Sequence, residues 1–157
     1  MGKVAGEQLD VATALVRSAF LVNAVYAEAA RNYGLTPQQG QLLCVLMPQP
    51  YGMSELGTVL GLAKSSLTGL VDRSARRGLV RRGSCPDDAR AVSVELTAAG
   101  RELAEDFYTD TCRRVEALAD GLASADRDAL VDLVGQVVRD NKVPVVFMTP
   151  DEAAAGH

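Results

Sequence analysis

Between residues 9 and 33 the apolar positions return at sevens and at three-to-four spacings. Leu15, Val22 and Ala29 trace one line, and Ala19, Tyr26 and Tyr33 trace the other. That period predicts a long amphipathic helix, and its stripe has the spacing of a seam that packs against other helices, including across a subunit boundary. Gly34 ends it. Thr36-Pro37-Gln38-Gln39 has the form of a capping box, with Thr36 as N-cap, Pro37 where no amide hydrogen is missed and Gln39 reaching back. The helix behind it carries Leu42, Leu43, Val45, Leu46 and Met47 and stops at Pro48 and Pro50. Ser54 is the expected N-cap of a short third helix with Leu56, Val59 and Leu60 on one face, closed by Gly61.

A fourth helix is expected over residues 65–77, with Leu67, Leu70, Val71 and Ala75 on one face. Lys64, Ser65, Ser66, Thr68, Asp72, Arg73 and Arg76 lie toward the other, able to meet phosphates and base edges. Two short helices joined by a glycine-containing turn, the second basic and hydroxyl-rich, meet the requirements of a helix-turn-helix. Gly78 fits a left-handed C-cap. The period then changes to two. Residues 79–82 and 92–96 are expected as strands, with Val92, Val94 and Leu96 inward, Ser93 and Glu95 outward, and residues 86–90 as the turn. A hairpin directly after a recognition helix is a wing.

Thr97 is expected to cap a helix running to about residue 122, buried along Leu103, Phe107, Val115, Leu118 and Leu122. Ser124 is expected to cap another, with Asp126 and Asp128 in its first turn, Arg139 and Lys142 near its end, and a buried face of Leu130, Leu133, Val134, Val137 and Val138. Pro144 breaks it, leaving the apolar run 145–147 to dock and the last residues to fray. The expected fold is mainly α with a small β-hairpin wing. Residues 35–97 form the winged helix-turn-helix, 1–34 and 98–143 supply long helices, and 144–157 form a tail.

At 157 residues, one core and one domain are the default. Charge adds the first functional discrimination. Lys64, Arg73, Arg76, Arg77, Arg81, Arg82 and Arg90 face only Asp72, Asp87 and Asp88 within residues 64–90, a local net of +4 in a chain of net −4. Coating of nucleic acid or membrane by bulk charge is excluded, so any DNA contact must be local. No signal-length apolar run opens the chain, and no segment was expected to reach the roughly 20 apolar residues of a membrane helix, so a cytoplasmic location is expected.

Cys44, Cys85 and Cys112 match neither a zinc template nor a disulfide framework, and the single histidine is His157. Neither a metal site, a cofactor site nor a hydrolytic centre is expected.

The run Asp88-Ala89-Arg90-Ala91-Val92-Ser93-Val94-Glu95-Leu96-Thr97 resembles the wing signature of the MarR family of bacterial transcriptional regulators. Asp88, Arg90, Val94, Leu96 and Thr97 occupy its five defining positions. Leu35-Thr36 with Gln39, Glu55-Leu56-Gly57, Leu67-Thr68, Val71-Asp72-Arg73 and Gly78-Leu79-Val80 followed by Arg82 also fall where that family has them. The resemblance covers residues 10–142. It implies a homodimer joined through the first and the last two long helices. It also implies a fourth helix in the major groove, Arg90 in the minor groove and an Asp88–Arg90 ion pair. The DNA-binding residues expected are Lys64, Ser65, Ser66, Thr68, Arg73, Arg76, Arg77, Arg82, Asp88 and Arg90. Arg73 and Arg76 are expected on phosphates, Ser66 and Thr68 on base edges of an inverted repeat.

Two departures from the family stand out. Ser74 replaces a leucine that packs under the recognition helix, and Ala89 replaces a second wing arginine, removing one phosphate contact per wing. The resemblance further implies a repressor released by a small aromatic ligand, in a crevice whose wall would include Asn23, Tyr26, Cys44, Met47 and Phe107. Two other readings stay open: a thiol-based redox sensor using Cys85, which lies among arginines, and a winged-helix module that binds protein and not DNA.

Overall fold

Capping chemistry divides the chain into helices much as its pattern suggests. The computed structural model describes residues 8–85 and 88–143. Helix α1 (Val11–Asn32) starts at Asp10, whose carboxylate accepts from the amide of Thr13 at 2.7 Å. It ends ahead of Gly34, which takes a left-handed φ of 66°. Helix α2 (Pro37–Leu46) has the complete capping box: Thr36 Oγ1 accepts from Gln39 N at 3.1 Å, and Gln39 Oε1 accepts from Thr36 N at 3.0 Å.

The third helix corrects an expectation. Tyr51–Gly52 forms a short strand, β1, and α3 (Met53–Leu60) springs directly from it, with Gly52 as N-cap. Pairing Tyr51 with Val94 and Gly52 with Ser93 holds the backbone extended up to Gly52, so Ser54 falls inside the helix and caps nothing. Helix α4 (Lys64–Arg76) follows the Gly61 turn, and β2 (Val80–Cys85) and β3 (Asp88–Leu96) complete an antiparallel sheet of order β1-β3-β2. The third strand therefore begins at Asp88, inside the expected turn; residues 86 and 87 lie outside the described ones.

Alternation along β3 holds only where a helix lies beneath it. Val94 and Leu96 are buried, paired with Arg82 and Val80. Val92, expected inward, is exposed because it lines an open cavity with Met53, Thr58, Leu62 and Leu67 that nothing among the described residues fills, while Ser93 is covered by the strands on both sides of it.

Helix α5 (Ala98–Ala117) begins at Thr97 as expected, with Thr97 Oγ1 accepting from Gly100 N at 3.0 Å. It ends five residues before the expected end, and of its expected buried side only Phe107 is fully enclosed. Phe107 meets Tyr26 and Tyr33 edge-on, with ring centroids 5.3 and 5.9 Å away. Leu118 and Leu122 are exposed, and so is the whole apolar face of α6 (Ser124–Asp140), whose N-cap is Ala123 and not Ser124. Within one chain nothing lies over Leu130, Leu133, Val134, Val137 and Val138, so these residues are not the buried face that their spacing suggests.

The outer face of α1 is equally bare. By length and composition α1 is apolar enough to cross a bilayer, against expectation. It nevertheless packs on α2 and α5 and carries the core residues Ala29 and Ala30. The run 145–147, expected to dock, lies outside the described residues.

The core joins α2 (Leu42, Leu43, Leu46), α3 (Leu56), α4 (Leu67, Leu70, Val71), the sheet (Val80, Val94) and α5 (Ala104, Phe107). One junction is closer than side chains allow. A β-carbon added to Gly100 would overlap the carbonyl of Leu79, leaving no room for any other residue. Gly100→Ala is expected to cost about 2–3 kcal/mol or more, since the obstacle is backbone. Urea unfolding should show a lowered midpoint; an unchanged midpoint would contradict this packing.

Candidate nucleic-acid interface

The fourth helix is amphipathic in the plainest sense: Leu67, Leu70, Val71 and Ser74 are buried, and the opposite face meets solvent. Ser74, where a leucine is usual, is 1% exposed and donates its hydroxyl to the carbonyl of Leu70 at 2.9 Å. The hydroxyl is satisfied within the helix, so this buried polar group does not carry an unmet hydrogen bond. Lys64, Ser65 and Ser66 are exposed in the first turn, and Ala63 supplies no side-chain cap there. Thr68 is half-buried and donates back to the carbonyl of Lys64 at 2.8 Å, so its oxygen can still accept from a ligand. Arg73 and Arg76 project outward in the last turn.

Bonds to other elements sort the seven basic residues into two groups, Arg76 Nε making a local contact to the Asp72 carbonyl one turn back at 3.4 Å. Arg81 pairs across the strands with Glu95 at 2.6 Å, and Arg82 with Asp72 at 2.6 Å, which ties the wing to the side of α4. Arg77 donates to the carbonyl of Gly34 at 2.7 Å and to Gln39 Oε1 at 3.2 Å, directing its guanidinium at the α1–α2 junction and away from the outward face of α4. Lys64, Arg73 and Arg76 line one helix, and Arg90 stands apart on the wing.

The expected Asp88–Arg90 ion pair takes a different form. Asp88 Oδ1 accepts from the main-chain amide of Arg90 at 2.9 Å, the short-range contact an aspartate makes two residues ahead. This stiffens the backbone under Arg90 and leaves its guanidinium exposed.

Gly69 was missed by sequence reasoning. It occupies the outward face between Ser65, Arg73 and Arg76, with Arg73 Nη1 only 3.1 Å from where a β-carbon would stand. A glycine inside a helix costs about 1 kcal/mol relative to alanine, and that penalty was the available signal.

Of the five residues expected around a ligand crevice, three come together within the single chain. Tyr26, Cys44 and Phe107 pack together, with the Tyr26 hydroxyl bonded to the Cys44 thiol. Asn23 is exposed on α1, and Met47 is the half-buried C-cap of α2, its carbonyl accepting from Arg101 at 3.0 Å. Burial pushes the Cys44 thiol up to about 12 and raises the Tyr26 hydroxyl well above its ordinary range. Burial also raises Cys112. Cys85 is free and half-exposed at the wing bulge. Among the described residues no three His, Cys, Asp or Glu side chains cluster as metal ligands.

A basic second helix in a helix-turn-helix, followed by a hairpin braced against it, defines the winged-helix class of DNA-binding proteins. Residues 33–91 match the family model described as MarR family. The transcriptional repressor NicR of Pseudomonas putida is 30% identical over 117 residues, covering 73% of each chain. The repressor YetL of Bacillus subtilis is 30% identical over 84 residues, 54% of this chain and half the length of YetL. The fold matches CouR bound to a 23-mer DNA duplex with a TM-score of 0.69 and 26% identity, over 84% of this chain and 99% of that one. The fold also matches CouR from Rhodococcus jostii RHA1 bound to p-coumaroyl-CoA, with a TM-score of 0.66 and 22% identity over 82% of this chain and 91% of that one. This chain belongs to the MarR family of transcriptional regulators.

The thiols offer a direct check on the buried cluster. With its titration near 12, Cys44 is almost wholly protonated at pH 8 and shielded as well. Iodoacetamide at that pH is expected to label Cys85 first and Cys44 last in the native protein, read by peptide mass spectrometry. Equal rates for the two would contradict the burial of Cys44.

Proposed function

We propose that the protein is a cytoplasmic repressor that binds an inverted-repeat operator as a homodimer and is released by a small aromatic ligand. The observation that carries the DNA-binding part is the set of outward cations, Lys64, Arg73 and Arg76 on α4 and Arg90 on the wing, in an otherwise acidic chain. Lys64, Arg73 and Arg76 suit phosphates, with Lys64 able to reach a base edge. Ser65, Ser66 and Thr68 suit base edges, and Arg90 suits the negative potential of a narrow minor groove. Asp88 holds the backbone that presents Arg90. Arg82, committed to Asp72, braces the wing.

Dimerisation is supported by the uncovered apolar faces of α1 and α6, where Val11, Phe20, Val131 and Leu133 are 66–76% exposed. Faces of that size on a water-soluble chain call for a partner, and a second copy brings the same faces symmetrically. It would set the two recognition helices about one duplex turn apart, roughly 34–36 Å, and so favour an inverted repeat. Ligand release is supported more loosely, by the aromatic cluster of Tyr26 and Phe107 beside Cys44, and by the p-coumaroyl-CoA complex of CouR from Rhodococcus jostii RHA1.

Four outward cations per protomer bound the salt dependence. If all eight of a dimer met phosphates, the slope of log K against log salt would be about −7, and it should be no steeper. Fluorescence anisotropy at physiological salt should show Arg90→Ala weakening the selected operator by about 1–3 kcal/mol, roughly five- to hundredfold; unchanged affinity would sink the wing's role. Leu133→Asp places a charge on the proposed interface. It is expected to shift sedimentation from dimer to monomer and to remove preference for the paired half-sites; a wild-type monomer at micromolar concentration would refute the dimer.

A further inference from the structure

One guanidinium joins three helix ends. Arg77 is the C-cap of α4, and its Nη1 donates to the carbonyl of Gly34, 43 residues away in sequence, and to Gln39 Oε1, 38 residues away. Gly34 lies just past the C-terminus of α1, where a cation opposes the negative end of the helix dipole. Gln39 sits in the first turn of α2, is 6% exposed, and uses the same oxygen to close the capping box on Thr36. The acceptor is thus held by α2 itself, not by a mobile surface chain. Helix α4 otherwise packs on α2, α3 and β2, and α1 on α2 and α5. Arg77 is therefore a direct polar tie between the recognition helix and the first long helix.

We propose that Arg77 is a positioning residue and not a DNA ligand: it sets the angle of α4 to α1, and through α1 the separation of the two recognition helices in the dimer. The proposal rests on the dimeric, DNA-binding reading given above. Its leverage follows from length. A helix of 13 residues is about 20 Å long, so a pivot of about 10° at its Arg77 end moves its first turn by about 3 Å, close to the rise of one base pair. Loosening the tie should therefore relax selection for half-site spacing, while the number of phosphate contacts stays the same. Lysine cannot replace it: both bonds leave one nitrogen whose two hydrogens are fixed in the guanidinium plane, whereas a rotating ammonium sets no such angle.

Arg77→Ala, Arg77→Lys and the comparison variant Arg76→Ala would be titrated against the selected operator and against versions with one base pair added or removed between half-sites, at several salt concentrations. For both Arg77 variants the salt slope is expected to stay at the wild-type value, while discrimination between correct and altered spacing falls at least about fivefold. A slope reduced by about 1.8 in Arg77→Ala and restored in Arg77→Lys is the signature of one phosphate contact per protomer, and would overturn the proposal. Unchanged spacing discrimination would overturn it too.

A second measurement needs no DNA. Spin labels carried by ketone-bearing residues at Ser18 on α1 and Ser66 on α4, in chains diluted with unlabelled protein, report the intrachain distance. A narrow distribution in the wild type should broaden in both Arg77 variants, and an unchanged width refutes the positioning role. Broadening, together with an unlabelled wild-type chain that binds no duplex, would instead retain the positioning role and reject the DNA-binding reading.

Discussion

The winged domain turns on the junction at Thr97. Its hydroxyl donates to the carbonyl of Gly78 at 2.6 Å and accepts from the amide of Gly100, while its own amide donates to the carbonyl of Leu79 at 3.1 Å. Gly78, in a left-handed φ of 72°, turns the chain from α4 into β2, and Gly100 lets α5 press its backbone onto Leu79. The end of the recognition helix, the two strands of the wing at their base and the start of α5 therefore meet at one hydrogen-bonded point. Every displacement of the wing relative to the helix has to strain it.

Around that junction, electrostatics separate structural from outward-facing charge. An acidic chain cannot hold DNA by its general field, and the basic segment does not act as one patch. Arg81 and Arg82 are spent on Glu95 and Asp72, and Arg77 on Gly34 and Gln39. Exposed ion pairs of this kind contribute little to stability, about 0–1 kcal/mol each. Their value is geometric, because each fixes one element against another. What remains outward is a short line on α4 and one arginine on the wing, spaced as separate points of contact.

Local rules of capping and punctuation were legible from the residues alone. Asp10 was not foreseen as a cap, but Thr36 with Gln39, Gly61, Gly78 and Thr97 all do what their chemistry suggests, since a cap depends on neighbours within four residues. Ser124 fails locally, standing one residue inside α6 behind Ala123; the remaining failures are of another kind. Ser54 lost its cap because β1 pairs with a strand about 40 residues later, and Val92 was mistaken for core because alternation gives the face a side chain takes and not how fully that face is covered. Arg77 and Arg82 read as DNA-binding residues from the sequence, and their partners within the chain show only once it folds back.

By itself the sequence determined the family, the order of elements and the location of the basic segment, because each is written in short-range spacing: the 3.6 and 2 periods, the caps and the Asp88-to-Thr97 wing run. The tertiary structure decided which arginines are tied to other elements, which of the expected ligand residues touch one another, and that α1 and α6 keep their apolar faces in the open. The physical reason is range. Capping and periodicity involve residues a turn apart, whereas a salt bridge, a cross-strand pair or an uncovered stripe depends on segments brought together only by the closure of the core.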